Sequence, residues 1–393
     1  MKIVWLHTHL LIPTGGTKFI YEVTKRIHKH TPVTLFCEQA RDDIAKMFED
    51  AGVQVKIIGT DTSTSAFYWM NLRKRLDNEF IKLEEMIDPD STIISHMFPM
   101  NVLANRLSNK AVQYCYEPFA FFFSDTMING LGLAKRLFCR FLTWKYANLD
   151  IENTRKSTSV ITLNPITQEQ IKKTYGKSSI LSLAGVDSDF FSPKTEDKFR
   201  KQFPGKKLIM HSTDYSPVKA TNLVIKAMPY VLKKVSDAVL LISNTVNDIA
   251  GRTKMAQLAE KVGVRQDISF VGRLDFPDVP IFYSNADVVA QPAFAKDAGT
   301  ASMNLAVKEA MACETPVVRA DITDEDVEHD ISGILVPSND AQALASGIIS
   351  ILNNSEKGPK MGKLGRIRIV QQYNWDRVSD IIYNEIKKVH ERE

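Results

Sequence analysis

Three short segments carry residue types that could do chemistry. The first is Thr14-Gly15-Gly16-Thr17, between an apolar run of strand length and a helical pattern. Glycines let a backbone approach a ligand, and a helix start offers free N–H groups and a positive dipole end to a phosphate. The same residues also make an ordinary turn. They form neither G-x-G-x-x-G nor G-x-x-x-x-G-K, so neither a dinucleotide fingerprint nor a P-loop is indicated. The second segment is Asp214-Tyr215-Ser216-Pro217-Val218-Lys219, again after a strand-like run. A lysine on a strand-to-helix loop is a point charge suited to a diphosphate, although most such lysines are simply exposed. The third is Lys308-Glu309-Ala310-Met311-Ala312-Cys313-Glu314-Thr315-Pro316-Val317-Val318, preceded by Gly299-Thr300-Ala301-Ser302. Glu309 sits on an Ala- and Met-rich helix and could accept two hydrogen bonds from a ribose diol. The Gly299–Ser302 loop offers a hydroxyl cap and N–H groups to phosphate. On spacing alone the plainer reading is favoured, a solvated glutamate on an amphipathic helix.

These segments need a scaffold, and the pattern around them supplies one. Residues 2–6 are an apolar run closed by Pro13-Thr14-Gly15-Gly16, and Ile20, Val23, Thr24 and Ile27 recur at helical spacing. Residues 33–36, 53–58, 92–95 and 111–116 read as further strands, with a helix near 40–50. The rhythm restarts with strands at 207–210, 238–242, 268–271, 288–290 and 316–318, and a helix over 223–235. Alternation of this kind predicts βαβ units and parallel sheets, hence an α/β protein of two Rossmann-like domains. Ligands of such sheets bind beyond the carboxyl ends of the strands, so a cleft between the domains is the natural place for a two-substrate reaction. Asp187, Asp189, Ser192, Pro193, Pro204 and Gly205 mark a linker composition. The predicted division is 1–190, 191–372 and a final helical segment, 373–393.

Composition narrows the classes. The chain has 393 residues, 44% apolar and 24% charged, with 50 basic and 46 acidic side chains. Such a balance excludes a disordered or collagenous protein and argues against a dedicated nucleic-acid binder. Cys37, Cys115, Cys139 and Cys313 are scattered, which suggests neither a disulfide scaffold nor a zinc site and fits a reducing compartment. No run approaches the roughly 20 apolar residues of a membrane span, and the short N-terminal run is no signal-peptide core, so a cytoplasmic location is expected.

The motifs together resemble the retaining family-four glycosyltransferases of the GT-B fold. Asp287-Val288-Val289-Ala290-Gln291-Pro292, Glu309-Ala310-Met311-Ala312-Cys313 and Thr315-Pro316-Val317-Val318 look like that family's nucleotide-sugar-binding core. Ala184-Gly185-Val186-Asp187 resembles its "NGVD", Pro217-Val218-Lys219 its "P-x-KG", and Phe270-Val271-Gly272-Arg273 its "F-x-G". Phe282-Tyr283-Ser284-Asn285-Ala286-Asp287 resembles its "YxxAD", and Tyr373-Asn374-Trp375-Asp376 its "F-S-W". The order of these landmarks spans nearly the whole chain.

The resemblance implies a nucleotide-diphosphate sugar as donor, a hydroxyl acceptor on a lipid-linked or polysaccharide glycan, and no metal or cofactor. Lys219 would hold the diphosphate, Glu309 the ribose, and Gly15 and Gly16 would bring backbone to the phosphates from the opposite domain. The acceptor would attack from the leaving group's own face, with a donor phosphate oxygen taking its proton. The final helix would cross back to the N-terminal domain. Three positions depart from the pattern. Ala301 replaces the first glutamate of E-x7-E, with Asp297 nearby; Asp214 stands where an arginine is usual, with Arg273 as a possible compensating cation; and Glu314 replaces a glycine. In the N-terminal half, Tyr116 falls where relatives often have a histidine, so Glu117 becomes the catalytic candidate there, with His7, His9 and His96 near strand ends. The missing glutamate keeps open an alternative, a non-catalytic sugar-nucleotide-binding partner of another transferase. An epimerase or phosphorylase on the same double fold is a third.

Residues 119–145 form a separate pattern. Leu133, Leu137, Phe138, Phe141, Leu142 and Trp144 cover one half of a helix, and Lys135, Arg136 and Arg140 the other. This composition suits an interfacial helix on anionic lipid, with Phe138, Phe141 and Trp144 as its contacts, at the inner membrane surface. A helix packed on its own sheet is the commoner arrangement for such a pattern.

Overall fold

In a computed structural model, residues 1–12, 15–59, 65–293, 305–321 and 326–392 are described. Among them the chain divides into two compact units. One comprises Met1–Ala184 and Trp375–Glu393 and the other Gly185–Lys296 and Asn304–Asn374, apart from residues outside the described set.

The first unit holds a seven-stranded sheet: β1 (Ile3–Leu10), β2 (Val33–Ala40), β3 (Gln54–Ile57), β4 (Thr92–Ser95), β5 (Ala111–Cys115), β6 (Ser159–Thr162) and β7 (Ile180–Leu181). All pairings are parallel, in the order β3-β2-β1-β4-β5-β6-β7. β1 runs four residues beyond the expected strand. Its register with β2 continues to Leu10 opposite Ala40, so His7 and His9 lie within the strand rather than past its end. β6 and β7 were not anticipated, and β7, at two residues, is too short to show periodicity.

The second unit holds β8 (Lys207–Thr213), β9 (Ala238–Asn244), β10 (Ile268–Gly272), β11 (Val288–Gln291), β12 (Val317–Ala320) and β13 (Ile334–Val336). Their order, β10-β9-β8-β11-β12-β13, is also parallel throughout. In both sheets the order reverses beside the first strand, between β1 and β4 and between β8 and β11. That is the doubly wound arrangement with its ligand crevice at the reversal. All four cysteines are buried and unpaired.

The last helix, Trp375–His390, belongs to the first unit although the chain reaches it from the second. Trp375, Val378, Ile382, Ile386 and Val389 recur at helical spacing, and all are buried in one cluster with Trp5, Phe19, Ile20, Val23 and Tyr114. Arg26 on the Gly15–Ile27 helix adds a 2.5 Å contact to Asp376. We expect Ile382→Ala to destabilise this unit by about 2–5 kcal/mol, the cost of a core cavity. All four tryptophans lie in this unit, so urea unfolding followed by tryptophan fluorescence reads it directly. An unchanged midpoint would show that the helix is not part of its folding core.

Candidate functional site

At the reversal of the second sheet, β8 ends in three consecutive buried polar residues, His211, Ser212 and Thr213. Strand alternation sends His211 to one face and Ser212 to the other. The Ala290 carbonyl can only accept, so His211 Nδ1 donates to it at 2.8 Å and Nε2 accepts from the Thr221 hydroxyl at 3.0 Å. Thr221 opens the Thr221–Leu232 helix, and Thr213 Oγ1 lies 2.7 Å from its hydroxyl. The helix start is thereby tied to the tip of β8. Burial pushes the His211 imidazole down to about 4 and keeps it neutral.

The loop between, residues 214–220, is braced from within. Tyr215 N–H donates to Thr213 Oγ1 and Ser216 N–H to Asp214 Oδ1, both at 2.8 Å. Asp214, the charge reversal noted above, thus caps its own loop. Tyr215 (φ 60°) and Ala220 (φ 51°) both take the left-handed conformation, at a cost of about 1 kcal/mol or more each for residues bearing a Cβ. Lys219 ends the short Pro217–Lys219 turn beside the helix N-terminus and is half-buried. Among the described residues its ammonium has no ion-pair partner. A cation, a helix start and a strained loop at a sheet reversal together have the chemistry to hold an anion.

On the opposite face, Ser212 Oγ lies 3.0 Å from Ser243 Oγ and 3.1 Å from the Tyr283 hydroxyl. Tyr283 is buried near the end of the Asp278–Ser284 helix, and Glu309 lies on the Leu305–Ala312 helix. Burial, then the Glu309 charge, raise the phenol well above its usual range. Glu309 itself is half-buried. Where β8 and β11 part, Gln291 Nε2 donates to the Ser212 carbonyl at 2.8 Å. Consecutive residues of one strand therefore brace the Lys219 loop on one side and Tyr283 on the other. Sequence reasoning read Tyr283 only as part of a family landmark; its signal was a tyrosine closing a short apolar helix.

Arg273 follows Gly272 (φ 80°) at the end of edge strand β10, exposed and two strands from β8. Gly299, Thr300, Ala301 and Ser302, with Asp297, lie outside the described residues. In the first unit, Gly15 and Gly16 open the Gly15–Ile27 helix, and the Tyr116 hydroxyl donates to the Gly16 carbonyl at 3.3 Å. This brings the turn after β5, with buried Glu117, to the glycine turn. His96 is buried among Trp5, His7, Tyr114 and Tyr116, ring centroids 4.9–5.5 Å away. Burial pushes His7 down to about 3 and His96 well below its usual range, so both are neutral.

The amphipathic helix spans Leu133–Lys156. Cys139, Leu142 and Tyr146 are buried, and Phe138 packs half-buried on the core of its own unit rather than facing out. Leu133 (71% exposed), Leu137, Phe141 and Trp144 (82% exposed) remain outside. Among the described residues no helix is long and apolar enough to cross a membrane.

Residues 193–368 match the family model described as glycosyl transferases group 1. That segment belongs to this family. Among curated relatives, the chain is 29% identical over 222 residues to a GDP-mannose-dependent monoacylated alpha-(1-6)-phosphatidylinositol monomannoside mannosyltransferase of Corynebacterium glutamicum, covering 51% of this chain and 55% of the relative. It is 24% identical over 230 residues to the GDP-mannose-dependent alpha-(1-6)-phosphatidylinositol monomannoside mannosyltransferase of Mycobacterium tuberculosis, 56% and 59% of the two chains. The chain thus spans little more than half the length of these relatives. Two solved structures match nearly end to end. A glycosyltransferase from Rickettsia africae has TM-score 0.76 at 13% identity, covering 100% of this chain and 99% of that one. Anabaena HepE in complex with UDP and glucose has TM-score 0.77 at 16% identity, covering 99% and 100%. The fold is GT-B, two Rossmann-like α/β domains.

The neutral His211 has a measurable consequence. Its folded pKa lies below the unfolded value near 6.5, so the unfolded chain takes up the proton first. The stability it contributes is present at pH 7 and is lost as pH falls from 6.5 toward 4, by up to about 3 kcal/mol. In urea titrations, the gap between wild type and His211→Asn should shrink over that interval; a constant gap would refute the assignment.

Proposed function

We propose that the chain is a retaining glycosyltransferase that moves a sugar from a nucleotide-diphosphate donor to a hydroxyl of a lipid-linked or polysaccharide acceptor. The observation that carries this reading is the tip of β8, which braces on one face the loop of Lys219, a lysine with no ion-pair partner among the described residues, beside a helix start, and on the other face Tyr283, whose phenol feels the Glu309 charge. Lys219 and the N-terminus of the Thr221–Leu232 helix meet the diphosphate, and Glu309 accepts from the ribose hydroxyls. The Gly15-Gly16 turn and Arg273 are read as further donor-phosphate contacts, and Glu117 as the carboxylate of the acceptor half. In the transfer, the bond from the anomeric carbon to the diphosphate breaks, and one to the acceptor oxygen forms on the same face. The acceptor proton passes to a phosphate oxygen, and fixed cations and helix dipoles hold the leaving charge without a metal or organic cofactor. The mannosyltransferase relatives make GDP-mannose the first donor to try, beside UDP and ADP sugars.

Lys219→Ala should weaken nucleoside diphosphate binding by about 1.5–3 kcal/mol, roughly 10- to 150-fold, as expected for a hydrogen bond to a charged group. Isothermal titration with the best of UDP, GDP and ADP from a thermal-shift screen checks this. Unaltered affinity would remove the assignment. Donor turnover by wild type, absent from Glu309→Ala, tests the activity.

The exposed Leu133, Leu137, Phe141 and Trp144, flanked by Lys135, Arg136 and Arg140, support peripheral docking on the anionic inner membrane surface. In liposome flotation, the Phe141→Ala/Trp144→Ala double variant should partition onto anionic vesicles about tenfold less than wild type. Equal partitioning would exclude this face.

A further inference from the structure

We propose that Arg366 is a positioning residue, whose guanidinium fixes the end of the helix that carries Glu309. The inference rests on the reading of Glu309 as the ribose-binding group. Arg366 lies on the Lys357–Gln372 helix and is half-buried. Its Nη1 donates to the carbonyl of Ala312, the last residue of the Leu305–Ala312 helix, and to the Phe191 carbonyl at 3.1 Å. Its Nη2 donates to the Ser188 carbonyl at 3.2 Å. Among the described residues it has no ion-pair partner, so its charge is met by carbonyl oxygens and by the negative end of a helix dipole.

Both sides of this junction are well defined. On the helix side, the Glu314 N–H donates to the Met311 carbonyl and the Thr315 N–H to the Ala310 carbonyl, each at 3.0 Å. Glu314 takes the left-handed conformation that closes such a helix end (φ 59°). The Lys357–Gln372 helix meets this turn with no side chain between them, since a Cβ on Gly362 would overlap the Glu314 carbonyl. On the other side, Asp187 Oδ1 accepts from the N–H groups of Asp189 and Phe190 at 3.2 and 3.0 Å. The Phe191 N–H donates to the Asp187 carbonyl at 2.8 Å. Residues 187–191 thus form a closed turn with two of its carbonyls on one guanidinium. Phe190 stacks on Phe276, ring centroids 4.3 Å apart, which holds the turn in place.

Arginine suits this junction because its planar fork of donors can serve several carbonyls at once, whereas a lysine ammonium is a single point. Glu309 stands one helical turn before the clamped carbonyl, and its own carbonyl accepts from the Cys313 N–H at 3.2 Å. An α-helix is stiff over one turn, so a displaced end carries the carboxylate with it. The Lys219 loop is braced separately, by the tip of β8. Loss of the guanidinium should therefore disturb recognition of the ribose and spare that of the diphosphate.

The test compares binding of three probes by isothermal titration. They are the ribonucleoside diphosphate that wild type binds best among UDP, GDP and ADP, its 2′,3′-dideoxy form, and inorganic pyrophosphate. Wild type should prefer the ribo form by roughly tenfold or more, and Glu309→Ala should abolish that preference. Arg366→Ala should lose about fivefold of it while binding pyrophosphate as wild type does. Arg366→Lys, which keeps the charge and one donor point, should lose a smaller share, and it carries the test if Arg366→Ala does not fold. A ribo preference retained in Arg366→Ala, or in Arg366→Lys where that variant stands alone, but lost in Glu309→Ala overturns the positioning role and leaves the ribose reading standing. A preference that survives Glu309→Ala, or is absent from wild type, overturns the ribose reading and this proposal with it. Equal weakening of all three probes in the Arg366 variants, or failure of both to fold, overturns positioning in favour of general support.

Discussion

Buried hydroxyl and imidazole groups at the tip of β8 impose the constraint on which the second unit's site depends. His211, Ser212 and Thr213 lie where β8 and β11 separate, so that the sheet continues beside them only on the β9 side. Each polar group there needs a partner or carries a desolvation penalty. The partners found are Ala290, Thr221, Ser243, Tyr283 and Gln291, drawn from strands and helices on both faces. Satisfying them decides where the next helix starts, how the 214–220 loop folds, and where the Tyr283 ring stands. The Lys219 loop and the Tyr283 hydroxyl are held by adjacent residues of one strand.

The first unit solves a similar problem with other material. At its reversal, the interior around His96 is aromatic, and neutral imidazoles sit among tryptophan and tyrosine rings. The Tyr116 hydroxyl ties this floor to the glycine turn. The unit is completed by the last helix of the chain, whose apolar stripe fills the cluster over β1 and β5. Its integrity therefore depends on residues that follow the whole of the second unit in sequence.

Much of this was legible beforehand, and the failures are informative. The expected strand at residues 92–95 is β4 as observed, and those at 33–36 and 207–210 needed only extension, because a parallel strand buried on both faces reads as a continuous apolar run. β7 and β13 escaped notice because two or three residues show no period, and β6, as short as β4 and like it beginning and ending on a hydroxyl residue, was overlooked. The Leu133–Lys156 helix was recognised as amphipathic, yet Phe138 turned inward. Its core stripe continues through Tyr146, Asp150 and Asn153, and polar residues on that stripe hide its direction. Tyr283 was seen but not understood, since its partner Ser212 is 71 positions away.

By itself, the amino-acid sequence determined the α/β class, the restart of the pattern midway, and the short list that included Lys219 and Glu309. All of these are local facts, carried by periodicity, turn chemistry and the residue types that diphosphates and diols require. Only the tertiary structure decided what surrounds them: the two-faced tip of β8, the Ser212–Tyr283 contact, the return of the last helix and the outward side of the amphipathic one. Those depend on which distant buried polar groups satisfy one another, and no local pattern records that pairing.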